Sequence, residues 1–276
     1  MAGVNRKVLP GFSLSLGYTL FYLTVLVMVP ILACFSKAAS LSLDQFRAAV
    51  WTERTRAAYA LTFGTSFVAA GVNVALGLLI AWVLVRYRFP GRRVMDALID
   101  LPLALPTAVG GLVYASLYVK KGWLGQYLVP LGIQAAYSRL AIVLVLVFIG
   151  LPFVVRTVQP VLEDLDAEAE EAAASLGATR WQSFSRVILP PLYPALLTGF
   201  ALAFARSLGE YGSVVFVSGN MPYKTEIAPV LIVARLEEFA YGEATAIAVV
   251  LLVISLALLV VINALERWSR RSEAHA

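Results

Sequence analysis

The sequence predicts an all-α, polytopic membrane protein with six transmembrane helices. Of its 276 residues, 60% are hydrophobic and only 14% are charged, whereas about a quarter of the residues in a soluble domain are charged. The mean hydropathy of +0.81 points the same way. Six uncharged windows approach or exceed the roughly 20 apolar residues that a membrane helix needs. These observations exclude an ordinary soluble globular protein.

The six windows are separated by charged residues. They are Val8–Ser36, Ala57–Val85, Leu101–Val119, Leu140–Val155, Val187–Ala205 and Ala244–Leu265. The fourth is short, but apolar character resumes after Arg156, so we expect it to span as well. In the first, the apolar run from Leu14 to Phe35 exceeds the roughly 7–15 residues of a signal peptide, which favours a retained helix.

Basic residues indicate the orientation. The short loop between the second and third windows contains Arg86, Arg88, Arg92 and Arg93, and Arg6 and Lys7 precede the first window. Because short cytoplasmic loops are enriched in Lys and Arg, we predict that both termini are cytoplasmic. The net charge of +5 then indicates contact with anionic lipid rather than with nucleic acid.

The chemistry-bearing residues are few. Cys34 is the only cysteine and His275 the only histidine, so we expect no disulfide framework, no metal site and no Ser-His catalytic pair. The chain also lacks GxxxxGK[ST], the phosphate-binding loop of many ATPases. Asp96 and Asp100 are four residues apart and follow Arg92 and Arg93, which predicts ion pairs rather than a catalytic dyad.

Two windows contain helix-disrupting residues. The third has Pro102, Pro106, Gly110 and Gly111, and the fourth has Gly150 and Pro152. Proline removes a backbone donor and kinks a helix. Glycine and proline are nevertheless frequent in membrane helices. Two interpretations stay open, tight helix packing and a moving wall of a translocation pathway.

The polar connection Glu163–Arg186 differs from all the others. Its Ala- and Glu-rich part predicts a short helix over Asp166–Leu176, which Gly177 ends in a left-handed conformation. Thr179 is placed to cap a second helix from Trp181 to Leu189, and we expect the following Pro190 and Pro191 to end that helix. The connection is therefore predicted to be a helix–turn–helix at the membrane face.

This connection resembles the EAA loop of ABC importer permeases. In that motif, three residues separate the second alanine of Glu-Ala-Ala from a glycine, and nine more residues separate the glycine from an aliphatic residue, any residue, and Leu-Pro. The matching positions here are Glu171, Ala172, Ala173, Gly177, Val187, Leu189 and Pro190. Val187 stands where isoleucine is commoner.

The resemblance implies a type I ABC importer permease (MetI-like) fold and a mechanical role for the loop. In the family, the short helix docks into a cleft on a separate ATP-hydrolysing subunit. Ala172, Ala173 and Ala174 would allow close approach. Glu170 and Glu171 would offer carboxylates to basic groups, and Gly177 would fix the angle of the turn. The chain itself is then not an enzyme and binds no cofactor, since ATP and Mg are used by the partner.

Further sequence segments resemble one group of these importers in particular, the sulfate/thiosulfate transport system permeases. They are the segments 86–93, 96–102, 104–111, 151–162, 196–216 and 218–220. The resemblance implies import across the bacterial cytoplasmic (inner) membrane, with a related sister permease, an ABC ATPase dimer and an extracytoplasmic sulfate-binding protein as partners. A molybdate/tungstate importer permease is the alternative, and an ion-coupled secondary transporter fits less well.

The expected organisation has three parts. An N-terminal helix and external segment occupy residues 1–56, a permease core with five membrane helices and the coupling loop 163–190 occupies residues 57–266, and a polar tail occupies residues 267–276.

One charged pair is predicted inside the membrane. Arg206 and Glu210 lie four residues apart in the fifth helix, which places them on one face. They either neutralise each other to fix packing against another subunit or line the pathway. Under the second interpretation, hydroxyl groups would give weak, distributed contacts to the anion. The hydroxyl candidates are Thr107, Thr198, Ser207 and Ser213.

Overall fold

The computed structural model describes the backbone of residues 11–273 and the side chains of residues 11–265. Arg6, Lys7 and the last three residues of the predicted tail, which include His275, lie outside the described residues. The helices are α1 (Phe12–Ala39), α2 (Leu43–Val50), α3 (Glu53–Arg86), α4 (Arg92–Ile99), α5 (Leu101–Ala104), α6 (Thr107–Tyr118), α7 (Gly125–Leu128), α8 (Arg139–Glu163), α9 (Ala167–Ser175), α10 (Arg180–Leu208), α11 (Val214–Val217), α12 (Ala228–Glu237) and α13 (Tyr241–Glu273).

Membrane-spanning helices dominate the described part of the chain. Among residues 11–273, five helices are long and apolar enough to cross a membrane, namely α1, α3, α8, α10 and α13. The third predicted span is different, because the chain is extended at Leu105 and only the 12-residue α6 follows. Pro106 explains this break, since a proline disfavours helical geometry in the residue before it.

The fifth predicted span begins earlier than the sequence suggested. Pro190 and Pro191 do not end a helix, because α10 continues through them from Arg180 to Leu208. A π-helical turn, Phe184–Ile188, precedes the prolines, and the Leu189 amide donates to the Phe184 carbonyl. The prolines, which lack an amide N–H, therefore lie where the hydrogen-bond pattern changes from π to α. The helix continues past them without a break.

Helices α3, α8 and α10 form the centre of the bundle. The largest buried cluster includes Leu84, Val154, Val158, Leu192 and Phe204. Glycines allow the backbones to approach. A Cβ on Gly77 would lie 2.6 Å from Val154 Cγ1, and one on Gly199 would lie 3.0 Å from Val154 Cα. A Cβ on Gly150 would collide with the buried Asn73 side chain. The glycine of the fourth window is therefore explained by tight packing.

Pairwise contacts fix the direction of the helices. Gly77 meets Val154 and Gly150 meets Asn73, so α3 and α8 run parallel. The Tyr59 hydroxyl donates to the Ile247 carbonyl at 3.0 Å, which places the start of α13 beside the start of α3. Leu41, just after α1, contacts Gly242 at the start of α13. The beginning of α1 and the end of α13 therefore lie on the side where α3 and α8 end.

Candidate coupling loop and intramembrane site

The coupling loop forms the predicted helix–turn–helix. The Asp166 carboxylate caps α9 by accepting from the Glu168 amide at 3.0 Å. The helix ends at Ser175, and Gly177, two residues later, has a left-handed φ of +82°. Beyond the turn, Thr179 and Gln182 form a reciprocal capping box at the start of α10, with hydrogen bonds of 2.8 and 3.3 Å. The caps predicted from Gly177 and Thr179 are confirmed.

Much of this loop is exposed. Glu171, Ala172 and Ala174 are exposed, while Ala173 is half-buried. Leu176 is 89% exposed and Trp181 is 73% exposed. Large apolar side chains left uncovered beside an acidic helix are typical of an interaction surface. The sequence predicted Leu176 and Trp181 only as helix ends and not as site residues, although their apolar character within a polar connection was a visible signal.

The two acids of the loop have different surroundings. Glu171 is exposed, whereas the half-buried Glu170 accepts a hydrogen bond from Arg86 at the end of α3. The Arg86 guanidinium also lies over the Trp82 ring, 5.3 Å from its centroid. The pair therefore ties α9 to a helix that is not its neighbour in sequence.

Aromatic rings extend this connection to the second arm of the loop. The Trp82 ring packs edge-on against Phe184, with centroids 5.7 Å apart, and Phe184 packs against Trp181 at the same separation. Of the motif residues after the turn, Val187, Leu189 and Pro190 are half-buried, beside the buried Ile188. They face the bundle, while the motif's Glu-Ala-Ala end faces outward.

The predicted intramembrane pair is present. Arg206 Nη1 donates to Glu210 Oε2 at 2.7 Å. The other oxygen of Glu210 accepts from the backbone amide and the hydroxyl of Ser213, each at 2.9 Å, and Glu210 is 2% exposed. The expectation that Glu210 lies within the fifth helix was wrong, because α10 ends at Leu208. Glu210 instead holds the turn between α10 and α11.

The hydroxyl candidates divide between two environments. Thr107, at the start of α6, lies against Gly212, where a Cβ would collide with Thr107 Oγ1. Thr107 is thus brought to the turn that contains Ser213. Ser207 and Thr198 instead donate to carbonyls one turn back in their own helix, both at 2.8 Å. The structure gathers Arg206, Glu210, Ser213 and Thr107 at one place.

The acids Asp96 and Asp100 pair with a different arginine from the one expected. Arg156 of α8 donates to Asp96 Oδ1 at 2.6 Å and to the two Asp100 oxygens at 3.0 and 2.6 Å. The expected pairing with Arg92 and Arg93 was wrong, because those side chains do not reach the carboxylates. The hydrogen bonds from Arg156 lower the pKa of Asp100 from its usual value. This network holds α4 against α8.

An ion pair between two residues that are distant in sequence lies at the end of the bundle opposite the coupling loop. Arg54, in the first turn of α3, makes a two-pronged contact with Glu226, with hydrogen bonds of 2.7 and 2.6 Å. Glu226 is 4% exposed. The sequence analysis missed this pair, since 172 residues separate its members.

Comparison with known proteins identifies the family. The sequence profile described as "Binding-protein-dependent transport system inner membrane component" matches residues 73–274. The chain belongs to this family. It is an inner membrane permease component, as the motif in the coupling loop predicted.

The similar sequences are themselves permeases. The sulfate transport system permease protein CysT of Synechocystis is 53% identical over 92% of this chain and 88% of the relative. The protein of that name from Escherichia coli is 50% identical over 98% of each.

Solved permease structures share the fold. A chain from a bacterial ABC transporter that imports alginate superposes with a TM-score of 0.75, at 18% identity, over 92% of this chain and 94% of the other. A chain from the MetNI methionine ABC transporter gives 0.55, at 19% identity, over 84% of this chain and 99% of the other. The predicted all-α, MetI-like permease fold is confirmed.

Proposed function

We propose that this permease is the membrane-spanning subunit of an ATP-driven importer for sulfate and thiosulfate. The observation that carries the proposal is the identity of 50–53% to proteins named sulfate transport system permease, over nearly the whole of both chains. A tetrahedral dianion is then the cargo. Alternating access would carry it past the turn that Glu210 holds and past Arg206, the partner of Glu210 in the last turn of α10.

The coupling loop would receive force from the ATPase. The exposed Glu171, Ala172 and Ala174, with the neighbouring Leu176 and Trp181, would form the face that enters the partner's cleft. Carboxylates there suit basic groups of the ATPase, and alanines let two backbones approach. The Glu170–Arg86 pair would pass the motion to α3 as well as to α8 and α10, which adjoin the loop in sequence.

The intramembrane cluster would contribute weak contacts to the anion. Glu210 is fully engaged by Arg206 and Ser213, so its charge serves the turn. Arg206 is about one-third exposed and uses a single N–H in the pair among the described residues. Its other N–H groups and the Thr107 hydroxyl would meet the passing dianion. A transport site must release its cargo, so weak contacts suit it.

The assembly would follow the usual division of labour in such importers. This chain would pair with a sister permease, and an ABC ATPase dimer would bind and hydrolyse Mg-ATP on the cytoplasmic side. A sulfate-binding protein would deliver the anion from outside. The start of α1 and the end of α13 lie on the same side as the coupling loop, so both would be cytoplasmic.

Uptake into proteoliposomes tests the proposal. The purified transporter, reconstituted with its ATPase inside and the binding protein outside, is expected to accumulate labelled sulfate only with ATP. Unlabelled thiosulfate should compete strongly and molybdate weakly. Uptake driven by an ion gradient without ATP would overturn the importer assignment. Preferential competition by molybdate would overturn the cargo.

A further inference from the structure

A basic cavity opens at the coupling-loop end of α3, where the chain turns into α4. Its volume is about 400 Å³. The lining residues are Arg88, Phe89, Gly91, Arg92, Arg93 and Val94. Arg88 and Arg93 are exposed and Arg92 is half-buried. Three guanidinium groups around one cavity make its interior strongly positive.

No acid of the described residues neutralises these arginines by an ion pair. Asp96 is the natural partner for Arg92, since it lies one turn further along α4. Arg156 takes both Asp96 and Asp100 instead. The basic cavity is therefore left with uncompensated charge beside the membrane, where an anionic ligand would be bound favourably.

Helix α4 presents an apolar face next to this cavity. Val94 is 62% exposed, Met95 is 45% exposed and Leu98 is 54% exposed, whereas Ile99 is buried against the bundle. Val94 and Leu98 are one turn apart and share a face. An amphipathic helix with basic residues at one end and an uncovered apolar face is suited to the membrane interface.

We propose that the basic cavity binds the phosphate headgroup of an anionic phospholipid, while α4 lies in the plane of the interface. Arginine favours such a ligand because its planar guanidinium can bond two phosphate oxygens at once. A free oxyanion shares this chemistry but would make no use of the apolar face of α4. The inference depends on the membrane location of the chain and not on its cargo.

Native mass spectrometry of the delipidated transporter tests the proposal, with phosphatidylglycerol and phosphatidylcholine of matched chains as probes. The test variant is Arg88→Gln/Arg92→Gln/Arg93→Gln. The control, Arg47→Gln/Lys120→Gln/Lys121→Gln, removes equal charge from exposed side chains at the opposite end of the bundle. Each lost arginine is expected to weaken phosphatidylglycerol binding about fivefold, with phosphatidylcholine binding unchanged. The control should bind like the wild type.

Three results would overturn the proposal. The first is undiminished phosphatidylglycerol binding by the triple variant. The second is displacement of the lipid by inorganic phosphate at the same concentration, which would indicate a site for a free anion. The third is loss of the co-purifying ATPase with unchanged lipid binding, which would indicate a protein-docking surface.

Single variants keep the test informative if the triple variant does not fold. Arg93 is exposed, so Arg93→Gln should preserve the fold and weaken lipid binding about fivefold. Arg93→Lys keeps the charge without the two-pronged geometry and should fall between Arg93→Gln and the wild type. Equal binding by all three proteins would also overturn the proposal.

Discussion

The coupling loop and the Arg206–Glu210 cluster both contain glutamates, but these differ in solvent exposure and in hydrogen bonding. In the loop, Glu171 is exposed, and so are Ala172, Ala174 and Leu176. In the cluster, Glu210 is 2% exposed and both of its oxygens accept hydrogen bonds. An acid that is satisfied inside the chain stabilises a turn, whereas an exposed acid beside uncovered apolar side chains is available to a partner.

Glu170 stands between these two extremes. It belongs to the coupling loop by sequence, yet it pairs with Arg86 of the bundle. The loop therefore has an outer face for the ATPase and an inner contact with the helices that move.

The largest effect is expected for Glu210→Ala. This change leaves the buried Ser213 amide without its acceptor, which costs about 1–3 kcal/mol, and it leaves the one-third-exposed Arg206 without its carboxylate. We expect poor yield of assembled permease and a lower melting temperature in detergent. The matched variant Arg206→Gln/Glu210→Gln should retain assembly and some uptake. If it assembles but transports nothing, the cluster serves the pathway and not only the turn.

A large effect on transport, but not on assembly, is expected for Gly177→Val. A Cβ at Gly177 meets no atom within 4 Å, so the penalty comes from the left-handed backbone alone. That penalty is about 1–2 kcal/mol or more for a β-branched residue. ATP hydrolysis should continue while labelled sulfate uptake falls at least tenfold. Gly177→Asn, which tolerates this conformation, should transport nearly normally, and equal loss in both variants would contradict the argument.

A smaller difference is expected between Glu170→Gln and Glu171→Gln. The first should lower the uptake per ATP hydrolysed a few-fold, because the link to Arg86 is weakened, without changing ATPase affinity. The second should weaken ATPase binding and leave the melting temperature of the permease unchanged. The reversed pair Arg86→Glu/Glu170→Arg should restore part of the coupling lost in Glu170→Gln. Identical behaviour of the two single variants would remove the distinction between the faces of the loop.

The smallest effect concerns the Asp100–Arg156 contact, which is partly exposed and so contributes at most about 1 kcal/mol. Its hydrogen bonds lower the pKa of Asp100. The stabilisation is therefore present above the unfolded pKa of about 3.9 and is lost as the pH falls through the lowered value. Asp100→Asn should melt slightly below the wild type at pH 7, and the difference should shrink as the pH is lowered beyond the unfolded pKa. Asp44→Asn, at an exposed carboxylate, is the control and should melt close to the wild type at pH 7.

Local signals in the sequence predicted much of the fold. Five of the six apolar windows located spans, and Gly177 and Thr179 marked the ends of the loop helices, because each acts on backbone groups only a few residues away. Pro190 was misleading, since the preceding π-helical turn lets α10 continue. That turn has no simple sequence signature.

The charge pairs across helices were beyond prediction from the sequence. Arg86 and Glu170 are 84 residues apart, and Arg156 and Asp96 are 60 residues apart. Periodicity states which face of a helix is apolar, but not which helices are neighbours. The intramembrane pair Arg206–Glu210 was found because its members are one helical turn apart in the sequence.

The passage of α10 through its prolines has a geometric consequence. The helix holds 29 residues, so it forms a rod about 43 Å long at 1.5 Å per residue. One end carries Trp181, and the other carries Arg206. If the helix tilted by about 5° about its Trp181 end, its Arg206 end would move by about 4 Å. That displacement exceeds the radius of a small oxyanion.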